Sequence, residues 1–277
     1  MAMDARERFS AIAAQADEDI DLAEAALVIA AEEYDSLDID YYLGRLDALA
    51  ADEALAGAPA SDPSERVSQL NRYLFDTCGF SGNRDQYEDP RNSFLNEVLE
   101  RRSGIPISLA LVYMEVGRRI GLPTAGIGFP GHFLVKVSGP EEIIVDAFHG
   151  RVVSLAECEQ QLRAVTRSKV ALDPEVHLRA ATTREILARM LTNLKQIGLR
   201  GGEFERALGC SDRILLLIPG APEELRDRAL LNEKLQYYRA ALEDFKQLAE
   251  VAPETRAGGG LDQKIAELEG RVRRHYH

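Results

Sequence analysis

The sequence predicts an α+β protein that runs on into an all-α region. Three observations predict this. Apolar residues recur at spacings of three and four through residues 1 to about 75. A strongly apolar helical stretch is then followed by three short segments rich in Val, Ile and Phe, separated by Pro-Gly and Gly-Pro. The C-terminal part repeats itself at a fixed offset of 34 residues. The chain has 277 residues, of which 45% are apolar, enough for one or two domains with their own cores. Its formal charge of −13 opposes long-range attraction to nucleic acid or an anionic membrane as main partner.

Each element follows from local chemistry. Ile20, Leu22, Ala23, Ala26, Leu27, Ala30 and Ala31 mark one helix face. Leu37, Ile39, Tyr42, Leu43, Leu46 and Leu49 mark a second, with Asp38 or Asp40 as its cap. Residues 56–64 are a breaker-rich loop. A third helix is expected from about Pro63 to Thr77. Residues 78–93, with two Gly, one Pro and many hydrogen-bonding side chains, read as an ordered surface loop. Phe94 to Arg102 is helical, and Ser103-Gly104 breaks it. Pro106 opens the apolar helix, since a first-turn proline lacks only an N–H that would be unpaired anyway. Gly121-Leu-Pro ends it. Thr124–Phe129, His132–Ser138 and Glu142–Phe148 are the three expected antiparallel strands. Residues 155–175 are helical and then linker-like, with Asp173-Pro174 as a candidate boundary, so the expected domains are 1–175 and 176–277.

In the second part, Phe204, Ala207, Leu208, Ile214 and Pro219 recur as Tyr238, Ala241, Leu242, Leu248 and Pro253. That offset is the period of a tetratricopeptide helix–turn–helix unit. The first helix of each unit lacks the large aromatic and small residue of that pattern, so unspecialised helical hairpins are the competing reading. Cys78, Cys158 and Cys210 form no CxxC and no disulfide framework, which suits a reducing compartment. The first residues hold no apolar signal-type run, and no stretch is apolar enough to span a bilayer, so a cytoplasmic location is expected.

Three features carry chemistry. Gly104-Ile-Pro-Ile-Ser-Leu-Ala-Leu opens a helix, Pro130-Gly131-His132 starts a strand, and Val145-Asp146 ends the next. A thiol at a helix start is activated by the orphan N–H groups and the helix dipole. A His and an Asp on adjacent strands complete a nucleophile–base–orienter set. On the expected strand, His132 shares a face with Leu134 and Lys136, and if that face meets the helix start it points at residues 106–108.

This arrangement resembles the transglutaminase-like (papain-like) fold and, within it, the bacterial SirB-type family. The resemblance rests on Leu95-Asn-Glu-Val-Leu-Glu-Arg-Arg-Ser-Gly-Ile-Pro-Ile-Ser-Leu-Ala-Leu-Val-Tyr, Gly128-Phe-Pro-Gly-His-Phe-Leu-Val and Val145-Asp-Ala-Phe. Asp21-Leu-Ala-Glu-Ala-Ala-Leu, Leu70-Asn-Arg-Tyr-Leu-Phe and Tyr87-Glu-Asp-Pro-Arg-Asn-Ser belong to it too, and it covers roughly residues 15–155. It implies that His132 and Asp146 stand at the family's His and Asp positions. It also implies that Pro106 occupies the place of the nucleophilic cysteine. A proline offers neither a thiol nor a backbone N–H for an oxyanion hole.

Ser108 lies two positions on, about 200° around the helix, and is the weaker substitute nucleophile. Cys78 is a free thiol beside the polar loop, or a small buried side chain; Cys158 and Cys210 read as core. His132 with Asp146 is either a strand-to-strand hydrogen bond or part of a binding site. His149 lines the same pocket or caps a turn, and the end His275-Tyr-His277 reads as a solvated tail. The resemblance makes Asn96, Glu97 and Arg102 candidates for a polar cluster near the pocket; by composition alone the stretch is a solvated face or a set of intramolecular ion pairs. No phosphate-cradling glycine loop, HExxH or His/Cys ligand spacing occurs, so neither a cofactor nor a metal is implied.

The function expected is that of a non-catalytic, protein- or peptide-binding or regulatory scaffold. The competing reading is an acyl-transfer or amide-hydrolysis enzyme that uses His132 and Asp146 with a non-standard nucleophile. The oligomeric state has no signature in the sequence.

Overall fold

The computed structural model describes residues 4–55, 62–256 and 259–275. Residues 56–61 of the breaker-rich loop and residues 276–277 of the tail lie outside them. Two compact units divide the chain, residues 1–186 and 187–277.

In the first unit, helices α1 (Ala5–Ala13), α2 (Leu22–Ala31) and α3 (Ile39–Ala50) lead the chain. Asp38 caps α3, its Oδ1 accepting the Tyr41 N–H at 2.9 Å; of the two aspartates expected there, it is the one used. The next helix is expected to run to Thr77 as one piece. Instead α4 (Pro63–Asn71) passes into a π-helical turn over Arg72–Thr77, which ends as the Cys78 N–H donates to the Tyr73 carbonyl at 2.8 Å. The polar loop is ordered. Its β1 (Ser81–Gly82) pairs in parallel with β2 (Ser103–Gly104), on the far side of α5 (Leu95–Arg101).

Helix α6 (Pro106–Arg119) is the central element, buried continuously from Pro106 to Gly117. Against it lies an antiparallel sheet in the order β3 (Thr124–Ile127), β4 (Leu134–Val137), β5 (Ile143–Asp146), β6 (Arg151–Val153). Three strands were expected and four form. The fourth, Arg-Val-Val, is too short for its alternation to register in sequence. Register fixes the two faces: Val135 stands opposite Val145, and Ile144 opposite Val153. Ile127, Leu134, Ile144 and Val153 pack with Cys158 and Leu162 of α7 (Leu155–Thr166). Asp173-Pro174 opens the short α8 (Pro174–His177), with Asp173 accepting the Glu175 N–H. The division between the units falls in the first turn of α9 (Thr183–Gly201).

The second unit holds the rest of α9, then α10 (Phe204–Leu217), α11 (Pro222–Lys234), α12 (Tyr238–Val251) and α13 (Gly260–His275). The expected repeat is the offset of α10 and α12, whose Ala207 and Ala241 are fully buried. Leu225, Ala229, Phe245, Leu248 and Leu268 form the core of α11–α13. Among the described residues no helix is long and apolar enough to cross a membrane.

Candidate functional site

The site begins with the turn before β4. His132 was expected on the strand, but the strand starts two residues later, at Leu134. His132 sits in the bend, where its N–H donates to the Phe129 carbonyl at 3.0 Å. Its Nε2 lies 2.9 Å from Asp146 Oδ2. Asp146 ends β5 and turns the chain: its Oδ1 accepts the N–H groups of Phe148 and His149, each at 3.1 Å. His149 Nδ1 meets the same Oδ2 at 2.7 Å. His149 thus stands in the turn that Asp146 closes, with its ring against the carboxylate oxygen that also meets His132. Burial pushes the Asp146 carboxyl up, but hydrogen bonding and charge from His132 and then His149 outweigh it and hold it at about 2.

An aromatic side chain adjoins the dyad. The Phe148 ring stands edge-on to His132, with centroids 6.2 Å apart, and to His149 at 5.2 Å. Tyr87 of the polar loop meets the same ring at 6.0 Å. On another side the ring lies so close to Gly82 that a Cβ there would fall 2.5 Å from it. Gly82 pairs with Gly104, two residues before Pro106. Phe148 therefore touches both the layer that opens α6 and the imidazole of His132. Sequence reasoning passes over Phe148 and Gly82, because their roles appear only once residues 66 positions apart are brought together.

The helix start is tied up by backbone. Pro106 holds its first turn. The Ser108 hydroxyl donates to the Asn92 carbonyl at 2.6 Å and accepts the Ile105 N–H at 3.1 Å. Asn92 is itself fully buried; its Nδ2 donates to the Gln86 carbonyl at 2.6 Å, and its Oδ1 accepts from Asn83 at 3.0 Å. It is a hub of the site that the sequence marks only as one more polar loop residue.

The remaining candidates separate. Arg102, at a positive φ of 53°, donates to the Cys78 carbonyl at 2.6 Å and anchors the start of the loop. Glu97 faces Tyr34, whose phenol is pushed up to about 12 by burial and by that carboxylate. Asn96 is buried on α5, and its Oδ1 meets no hydrogen-bond donor among the described residues. Cys78, Cys158 and Cys210 are all buried and unbridged. Burial pushes the Cys158 thiol up, away from thiolate character.

Comparison with known proteins adds the lineage. Residues 40–192 match the transglutaminase-like superfamily, and residues 194–267 match tetratricopeptide repeats. A UPF0162 protein of Xylella fastidiosa (strain Temecula1) is 40% identical over 249 residues, 86% of this chain and 86% of that one. A UPF0162 protein of Vibrio cholerae is 32% identical over 257 residues, 91% of this chain and 95% of its own. F-box only protein 21 of Homo sapiens is 30% identical over 186 residues, 63% of this chain but 28% of that protein. A superfamily match over more than half of the chain, with identity to these UPF0162 proteins of Xylella fastidiosa and Vibrio cholerae over most of both lengths, has one family meaning: the chain belongs to the UPF0162 family of the transglutaminase-like superfamily.

Proposed function

We propose that this chain is a non-catalytic, cytoplasmic scaffold of SirB type, a transglutaminase-like domain that binds a protein or peptide rather than transforming it. One observation carries the reading. Pro106, which the family resemblance puts at the place of the nucleophile, opens α6, and the nearest hydroxyl on that helix, Ser108, already directs its proton at the Asn92 carbonyl. A base and its orienter without an acidic proton to remove perform no nucleophilic catalysis. The tetratricopeptide repeats support a partner-binding role, since such repeats generally mediate protein–protein interaction.

The retained His132–Asp146 pair, at 2.9 Å, is the observation that favours the second reading, an acyl-transfer or amide-hydrolysis enzyme with a non-standard nucleophile or an activated water. Turnover of a panel of peptide amides, thioesters and activated esters separates the two. The scaffold reading expects the full chain and His132→Ala to give the same background. Turnover by the parent chain that disappears in a folded His132→Ala protein establishes the enzyme instead. Pro106→Cys sharpens the result: a thiol there should be alkylated faster than an ordinary cysteine, because the helix start lowers its pKa.

A further inference from the structure

We propose that His132, Asp146 and His149 form a binding site for a divalent transition-metal ion of the zinc class. Each offers one ligand atom, and the three atoms all lie within 4.8 Å of one another. Two imidazole nitrogens and one carboxylate oxygen are a donor set that suits zinc and its first-row neighbours.

The surplus in the arrangement is what points to a metal. A strand-to-strand brace needs one imidazole on one carboxylate. Here a second imidazole, from a different turn and with its side chain 38% exposed, is directed at the same oxygen. The other oxygen, Oδ1, is held by two backbone N–H groups, which fixes the carboxylate plane and leaves Oδ2 facing the two rings. Outer-shell hydrogen bonds of this kind orient metal ligands. The Phe148 ring adds an apolar wall beside both imidazoles.

The geometry is within reach of coordination. Ligand atoms around a tetrahedral zinc stand about 3.3 Å apart, given metal–donor distances of about 2.0–2.2 Å. The nitrogens now lie 2.9 and 2.7 Å from Oδ2, so each must withdraw by roughly half an ångström on metal entry. The half-exposed His149 ring is free to make the larger of the two adjustments, and the buried His132 and Asp146 need only the smaller one. Three protein ligands leave a further position for water or a partner's donor atom. None of this depends on whether the chain turns over a substrate.

The test uses the full chain, stripped with a chelator and titrated with Zn2+ by calorimetry and with Co2+ by visible absorption. One equivalent should bind, and Co2+ should develop d–d bands. His132→Ala, Asp146→Ala and His149→Gln should each weaken binding at least ~10-fold. His149→Gln keeps an amide donor for Asp146, so its result stands even where alanine variants fold poorly. The His-Tyr-His sequence at residues 275–277 is the competing chelator, and the double variant His275→Ala/His277→Ala should leave binding unchanged. The proposal is overturned by an absence of saturable binding, by undiminished binding in His149→Gln, or by binding that disappears with the tail histidines.

Discussion

The repeat unit and the polar region around residues 78–104 are built by opposite rules. In the repeats, equivalent positions carry equivalent backbone. The residue before α10, Glu203, has φ −86° and ψ 67°, and the residue before α12, Tyr237, has φ −81° and ψ 61°. The residues after those helices, Ile218 and Ala252, match as well, at φ −129°, ψ 78° and φ −135°, ψ 71°. The turn bonds repeat too, Glu203 N–H to the Gly198 carbonyl and Tyr237 N–H to the Asn232 carbonyl, both 2.8 Å. The polar region has no such period. It is held by side chains that reach across the sequence to single backbone atoms, as Asn92, Arg102 and Ser108 do. Local rules tolerate substitution so long as the pattern survives, whereas single pins do not.

The largest expected effect tests whether the repeats also contain a pin. Lys195 on α9 is 2% exposed, and its ammonium lies 2.7 and 2.8 Å from the Glu224 oxygens and 2.8 Å from Asp227 on α11. Burial pulls the ammonium down, but the two carboxylates outweigh it and its pKa is raised. Lys195→Ala leaves Glu224 buried without its counter-charge and should cost about 4 kcal/mol in urea unfolding of the full chain. Hydrogen exchange should place the loss in residues 187–277. A cost below about 1 kcal/mol, the level of an exposed pair, would make the repeats purely periodic.

Asn92→Ala is the corresponding test of the polar region. It removes the donor to Gln86 and the acceptor for Asn83 in a fully buried place, and should cost about 3 kcal/mol. Exchange should rise first in residues 80–93. Gly82→Ala comes next. Its Cβ would lie 2.5 Å from a Phe148 ring already packed by Tyr87, His132 and His149. Overpacking of that kind should cost about 2 kcal/mol, with the NMR signals of both imidazoles displaced. Unchanged imidazole signals would mean that Phe148 can leave the dyad without disturbing it.

The same contrast explains what could be read in advance. The α3 cap at Asp38, the proline opening of α6 and the 34-residue offset are written in residues a few positions apart, or in a period, and the fold keeps them. The parallel pair β1–β2, the Asn92 hub and the place of Phe148 are written in partners that only the folded chain brings together. His132 and Asp146 are legible as a His and an Asp on adjoining strand segments, to which the family resemblance adds their positions, whereas the bend that holds His132 reads as strand because Pro130-Gly131 also precedes a strand. The meeting of both histidines on one oxygen had a faint local mark: Asp146 and His149 stand three apart at a strand end, where an Asp side chain commonly closes the turn.

The smallest effect sharpens the comparison most, because it concerns backbone alone. Before α10 the chain turns through Gly202 at φ +75°, and before α12 through Gln236 at φ +65°. An L side chain is strained in this region by roughly 1 kcal/mol, while glycine is not. Gly202 has nothing within 4 Å of where a Cβ would stand, so Gly202→Ala tests the dihedral without a clash and should cost about 1 kcal/mol. Gln236→Gly should act oppositely, gaining about 0.5 to 1 kcal/mol at the equivalent place one repeat later. Opposite signs of similar size in urea unfolding would establish the two turns as copies of one local device. If Gln236→Gly instead destabilised the chain, the Gln236 side chain would be another single pin inside the periodic half, and the two regions would differ in degree only.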